Sequence, residues 1–284
     1  VYYPALLQIM KNYKTKEKRL EAIKENAKDL IITTLTMDDI LATISCYLDV
    51  LEGIAGVDKI DHLSNKKLCT VGELLGKSFR SGVQKLTVNI KETLQGKELT
   101  EVTPSQIVNP KSVNKALKDF VSQSQLAALM EQNNPLSGLS QKRRTSAVGP
   151  GGVKKERADV GVRDIHYTHY GRICSIETPE GQNIGLIDTL AGYVKVNEYG
   201  FLETPYRKVD KETGIVSNDY KYYMADVEDW AFIAQANEPL DENGRFINKQ
   251  IMCRHAETVT TVPASKIDFM DVSTRQFVSV GTAL

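Results

Sequence analysis

The chain has 284 residues, enough for two or three modest domains. Lys+Arg and Asp+Glu both number 36, which excludes a uniformly basic nucleic-acid binder and puts weight on where charge is concentrated. Residues 5–30 read as one or two helices, with Leu6, Leu7, Met10, Leu20, Ile23 and Leu30 on an apolar side and Lys14 to Lys28 exposed. Thr36-Met-Asp-Asp39 is a capping-box pattern. Ile40, Ile44, Tyr47, Leu48 and Leu51 follow at helical spacing, and Gly53 is the expected stop. Thr70 with Glu73 repeats the start signal. Leu75, Phe79, Val83, Leu86, Ile90 and Leu94 then form a long stripe that Gly96 should end. Thr103-Pro104 opens a short helix with proline at its first position, and Asn109-Pro110 breaks it. Val113, Leu117, Phe120 and Val121 open another, to which Leu126 to Met130 belong or add a turn. Asn133-Asn134-Pro135 reads as a stop to helix formation.

From Lys142 to Arg157 there are six basic side chains and one acidic one, Glu156. Two clusters, Lys142 to Arg144 and Lys154 to Arg157, flank Gly149-Pro-Gly-Gly152, which neither helix nor regular strand survives. A loop with a positive rim and little bulk at its tip can lay its backbone against a polyanion. A solvated surface loop is the plainer alternative. Beyond it the pattern changes. Val160 to His166, Arg172 to Ile176, Leu190 to Val196, Phe201 to Thr204 and Arg207 to Val209 read as short strands. Asn197 to Gly200 and Asp241 to Gly244 read as turns. The class is therefore α+β, with a helical N-terminal half, a Gly-rich basic loop and a strand-rich C-terminal half.

Most catalytic and metal motifs fail on inspection. Gly72-Glu-Leu-Leu-Gly-Lys-Ser78 has three residues between its glycines where a phosphate-binding loop needs four, and it sits inside a predicted helix. His166 and His169, with Asp164 and Cys174 nearby, lack the ligand spacing of a structural zinc site. Cys46, Cys69, Cys174 and Cys253 form no close pair, which fits reduced thiols in a cytoplasmic protein. Glu177-Thr-Pro-Glu-Gly181 holds two carboxylates in a rigid turn, a weak signal for paired acids. No signal peptide or run of 18 apolar residues is present. Val1 lies inside an apolar run and no terminal signal precedes Leu284, so the chain reads as a piece of a longer polypeptide.

Read together, several stretches resemble the β subunit of bacterial-type DNA-dependent RNA polymerase. They are Asp61 to Leu63, Thr70 to Leu74, Ser124 to Leu126, Met130 to Leu136, Lys142 to Arg144, Gly149 to Gly152 and Glu156 to Ala158. Arg163-Asp164, His169 to Arg172, Ile176 to Gly181, Asn183 to Ile187, Glu198 to Arg207 and Phe269 to Ser273 follow in order. The resemblance covers residues 57–284, with a loose match over 1–56. It implies that 1–56 end the lobe, 57–118 are the C-terminal part of the protrusion, 119–190 the fork region, and 191–284 external domain 1, incomplete at its C-terminal end.

The implied reaction is RNA synthesis from ribonucleoside triphosphates on a DNA template, with Mg2+ held by the partner β′ subunit and no metal or cofactor in this chain. The implied partners are β′, α, ω, a sigma factor, DNA template and nascent RNA, without a membrane, in the bacterial cytoplasm beside the nucleoid. By the motif match Lys142, Arg143, Lys155 and Arg157 would face nucleic acid, and Glu180 and Asn183 would support the active centre. Ala128, Glu131, Gln141, Arg144, Ser146, Val148 and Ile187 match a rifamycin-binding pocket. Arg144, Ser146 and Ile187 fit its drug-sensitive pattern, whereas Ala128, Glu131 and Gln141 replace the usual glutamine, aspartate and histidine. Two other classes compete: a non-catalytic assembly module, and a freestanding enzyme using Glu177, Glu180 and His169.

Overall fold

A computed structural model describes residues 3–13, 15–26, 30, 34–57, 59–95 and 103–284. The chain divides into two units, Val1–Asp58 and Lys59–Leu284. Among the described residues no helix is long and apolar enough to cross a membrane.

In the first unit, helices α1 (Tyr3–Asn12) and α2 (Lys16–Glu25) bury Ile9, Ala22 and Leu30, with Leu6 and Ile23 packed against them. Met10 and Leu20, expected on the apolar side, are exposed instead, because the stripe runs through Leu6 and Ile9. Leu7 lies outside the described side chains, as do Lys14 and 27–29. Helix α3 (Met37–Leu51) has the predicted capping box. Thr36 Oγ1 accepts from the Asp39 N–H at 3.3 Å, and Asp39 Oδ2 accepts from the Thr36 N–H at 2.9 Å. Each cap satisfies a helix donor that has no partner within the helix.

The second unit begins with α4 (Val71–Leu94). The Thr70 side chain makes no cap bond, contrary to the sequence pattern. Glu73 is drawn to two lysines instead, Lys77 at 3.3 Å and Lys67 at 3.5 Å. Gly96, the expected stop, lies outside the described residues, and α4 ends at Leu94. Proline opens α5 (Pro104–Ile107) as predicted, and α6 (Lys111–Gln123) starts after Asn109-Pro110. Helices α4 and α6 approach closely at Gly82, where an added Cβ would lie 3.0 Å from Val113 Cα and 3.1 Å from Ala116 Cβ.

Asn133-Asn134-Pro135 starts a helix rather than stopping one. Asn134 caps α7 (Pro135–Lys142) by accepting from the Ser137 N–H at 2.7 Å, and Pro135 occupies a first-turn position where a missing N–H costs nothing.

Strands β1 (Arg144–Ser146) and β2 (Ile187–Thr189) pair antiparallel, Ser146 opposite Ile187. The region predicted as strand at Val160 to His166 is instead a helical turn, α8 (Val160–Arg163), entered at Asp159. A short 3-10 turn, Tyr167–His169, follows. Arg172 to Ile176 forms no strand either: Ile173 makes only an isolated bridge to Leu190.

The C-terminal half is a seven-stranded sheet in the order β3-β4-β9-β6-β7-β8, with β5 on β4. Its strands are β3 (Lys195–Val196), β4 (Leu202–Val209), β5 (Val216–Tyr223), β6 (Ile233–Ala234), β7 (Gln250–His255), β8 (Thr258–Pro263) and β9 (Phe269–Asp271). All pairs are antiparallel except β6 with β9. The two stretches predicted at 201–204 and 207–209 are one strand running through Pro205. Val209, Val216, Ala234, Ile251, Cys253, Ile267 and Met270 form the core of this sheet. The predicted turns are present. Asn197 Oδ1 accepts from the Phe201 N–H at 2.8 Å, and Asp241 Oδ1 accepts from the Arg245 N–H at 2.7 Å.

Ala256 holds φ of +46° in the two-residue turn between β7 and β8. A side chain there is strained, because Cβ crowds the neighbouring backbone. Ala256→Gly is expected to stabilise the chain by about 0.5–1 kcal/mol in urea unfolding, and a loss of stability would contradict the turn geometry.

Two buried polar clusters join residues 167–174 to the sheet. The fully buried Arg172 donates to the carbonyls of Leu202 (3.0 Å), Thr168 (3.2 Å) and Tyr223 (3.0 Å), and pairs with Glu228. Arg254 grips Asp271 with two bonds of 2.6 and 2.9 Å and lies 3.5 Å from the centre of the Tyr170 ring. The Tyr170 hydroxyl donates to the same carboxylate at 2.9 Å.

Candidate nucleic-acid interface

The basic loop is a closed turn. The Ala147 N–H donates to Leu186 O at 2.8 Å, tying the loop to the residue before β2. The Val153 N–H returns to Ala147 O at 2.9 Å, and the Gly152 N–H bonds Gly149 O at 3.0 Å. A Cβ on Gly152 would lie 2.2 Å from the Ala147 oxygen, so no larger residue fits. The 3-10 turn Lys155–Arg157 follows at once. Lys142, Lys154 and Arg157 are exposed and Lys155 is half-buried, and among the described residues none of the four has an ion-pair partner. Unpaired cations around a tight turn of little bulk are what a phosphate backbone can neutralise. Arg143 is placed differently. It is half-buried, its guanidinium donates to Ala191 O at 2.5 Å, and its own carbonyl accepts from the Leu190 N–H at 2.9 Å.

Beside the loop, residues 177–187 form a second turn, which carries the exposed Glu180 and the half-buried Asn183. Its base is fastened on several sides. The Thr178 hydroxyl donates to Ile187 O at 2.9 Å and accepts from the Gly185 N–H at 3.0 Å. The Glu177 carboxylate accepts from the Ser279 hydroxyl. Arg163 Nη1 donates to Gln182 O at 2.9 Å and Ile184 O at 2.8 Å.

Several of the residues matched to a drug pocket are joined. Gln141 Oε1 accepts from the Glu131 N–H at 2.8 Å, while Gln141 Nε2 donates to Leu129 O at 2.6 Å. Arg144 lies 3.4 Å from the Glu131 carboxylate. Ser146 Oγ donates to Val148 O at 2.9 Å and faces Ile187 across the β1–β2 pair. Ala128 is exposed in the irregular stretch that Gln141 holds at Leu129 and Glu131, with no polar atom on its side chain.

His166 and His169 serve the local fold. His166 Nδ1 lies 2.8 Å from Thr168 Oγ1, and the His166 N–H lies 2.8 Å from His169 Nδ1. Burial holds both imidazoles below their usual pKa, so they favour the neutral form. Among the described residues no group of three or more His, Cys, Asp or Glu side chains converges as metal ligands would. The four cysteines are free. Arg163 and the Gln141 clasp escaped the sequence-based reading of roles, because their partners are main-chain atoms 10 to 21 residues away.

The family model for RNA polymerase Rpb2, domain 3, matches residues 128–196, which hold the loop, the second turn and β1 with β2. The model for the RNA polymerase beta subunit external 1 domain matches 206–273, most of the sheet. The class is thus a large-subunit segment of a multisubunit RNA polymerase. All 284 residues align, at 51% identity, with the DNA-directed RNA polymerase subunit beta of Clostridium kluyveri (strain ATCC 8527). Identity is 50% to that of Clostridium beijerinckii and 51% to that of Clostridium perfringens (strain SM101), again over the whole chain. The chain spans 23% of the length of these relatives. It belongs to the β-subunit family of DNA-directed RNA polymerases, as part of that subunit.

Proposed function

We propose that this chain forms part of the active-centre wall and nucleic-acid channel of a bacterial RNA polymerase, which joins ribonucleoside triphosphates on a DNA template. The carrying observation is a set of cations without an ion-pair partner among the described residues, Lys142, Lys154, Lys155 and Arg157, around a glycine turn bonded at Ala147–Leu186 to the segment bearing Glu180 and Asn183. Lys142, Lys155 and Arg157 face nucleic acid, and Arg143 adds charge from its half-buried position. Glu180 and Asn183 support the active centre. Ala128, Glu131, Gln141, Arg144, Ser146, Val148 and Ile187 form the wall where rifamycins bind in this family. Nucleotidyl transfer of this kind uses metal ions clamped by carboxylates, and those ions, Mg2+, belong to the partner β′ subunit. The other partners are α, ω, a sigma factor, DNA and nascent RNA, in the bacterial cytoplasm beside the nucleoid.

The isolated 284-residue chain is expected to incorporate no nucleotide on a primed template with Mg2+ and all four ribonucleoside triphosphates, while the assembled enzyme carrying this sequence does so. Template-dependent incorporation by the pure chain would overturn this division of labour.

A further inference from the structure

We infer that Arg163 is a positioning residue for nucleotide addition, setting the turn that carries Asn183 and Glu180. This rests on the proposed role of that turn. Nη1 of Arg163 donates to the carbonyls of Gln182 and Ile184, at 2.9 and 2.8 Å, so it grips the backbone on both sides of Asn183. Charge-assisted donors of this kind form stronger bonds than neutral ones. No carboxylate competes for the guanidinium, since Arg163 has no ion pair among the described residues.

The grip is matched by backbone packing. Gly185 has φ of +67°, and a Cβ there would lie 2.3 Å from Arg163 O and 2.7 Å from Arg163 Cα. The turn therefore sits directly on the main chain of residue 163 and can do so only as glycine. Arg163 ends α8, whose N-cap Asp159 accepts from the Val160 N–H at 2.7 Å only two residues after Arg157. One short helical turn thus connects the cations of the basic loop to the backbone that orients Asn183. Arg163 needs to touch neither nucleotide nor nucleic acid to act. It fixes where the turn stands relative to the loop.

The test uses the assembled polymerase and single-nucleotide addition. Arg163→Ala is expected to raise KM for the incoming ribonucleoside triphosphate about tenfold with kcat changed far less, because loss of two charge-assisted bonds loosens ground-state placement. Arg163→Lys, which keeps a charged donor, should recover part of the loss. Added to Asn183→Ala, Arg163→Ala should have little further effect, since both act through one turn. Hydrogen exchange at the Ile184, Gly185 and Leu186 amides should quicken in Arg163→Ala.

The failures are distinguishable. If Asn183→Ala and Glu180→Ala both leave KM unchanged, the proposed role of the turn falls. If they raise KM but Arg163→Ala does not, or multiplies with Asn183→Ala, the positioning role is overturned. Unchanged amide exchange in Arg163→Ala also overturns it. A fall in kcat alone, with no rescue by lysine, would mark Arg163 as a general structural residue and equally overturn it.

Discussion

Replacing Glu228 by Ala should destabilise the Lys59–Leu284 unit by about 3–5 kcal/mol, because it strands a buried guanidinium. Arg172 is fully buried, and among the described residues its one carboxylate partner is Glu228. Its other bonds go to the carbonyls of Leu202, Thr168, Tyr170 and Tyr223, which can orient the charge and cannot neutralise it. Burial pushes the Glu228 carboxyl above its usual pKa, and the Arg172 charge opposes that rise. Glu228→Gln keeps the shape and a hydrogen-bond acceptor, so its loss should be smaller. Urea unfolding of the three chains measures this. A Glu228→Ala loss below about 1 kcal/mol, in the range of an exposed ion pair, would show that Arg172 draws its compensation from elsewhere.

The assembled polymerase should be poorly sensitive to rifamycins. Ala128 can neither donate nor accept a hydrogen bond where the family pattern has glutamine. Gln141 stands where a histidine is usual, and its amide is already engaged by Leu129 O and the Glu131 N–H. Glu131 carries its carboxylate one methylene further than aspartate would and lies beside Arg144. Loss of two hydrogen bonds without replacement costs about 1–3 kcal/mol, roughly a 5- to 150-fold loss of affinity. Titration with rifampicin should show weak inhibition of this enzyme and stronger inhibition of a variant carrying Ala128→Gln and Gln141→His. Equal, strong inhibition of both would contradict the proposed pocket. RNA synthesis should survive in both, since the two substituted positions belong to the proposed drug pocket and not to the carboxylate cluster that nucleotidyl transfer uses.

Some of this architecture was legible because its cause is local. The Thr36–Asp39 box, the proline entry at Pro104 and the Asn197 and Asp241 turns each involve residues within four positions. Gly149-Pro-Gly-Gly152 identified a loop because no regular structure accommodates it. Other local signals were outcompeted. Glu73 found two lysines in place of its cap, and Asn134-Pro135 proved to be a start signal, since a cap followed by proline has two readings. Val160 to His166 has an apolar alternation too short to separate strand from helical turn.

The parallel pairing of β6 with β9, the burial of Arg172 and the two carbonyls gripped by Arg163 join residues 19 to 56 positions apart. No spacing rule reaches that far. Of the candidate site, the charged rim could be seen in the sequence, whereas the braces that set its shape could not.

The most direct measurement of the central claim, that the basic loop lies against nucleic acid, is the salt dependence of DNA retention by the assembled polymerase. Lys155 and Arg157 have no ion-pair partner among the described residues and stand on a loop fixed by backbone bonds, so neither needs to break a contact to reach a phosphate. Each phosphate neutralised adds about 0.9 to the log–log slope of affinity against salt. With Lys155→Ala and Arg157→Ala together, DNA retention should weaken and the slope should shrink by roughly 1–2 units. A slope unchanged from that of the unmodified enzyme would mean that the loop does not touch the backbone.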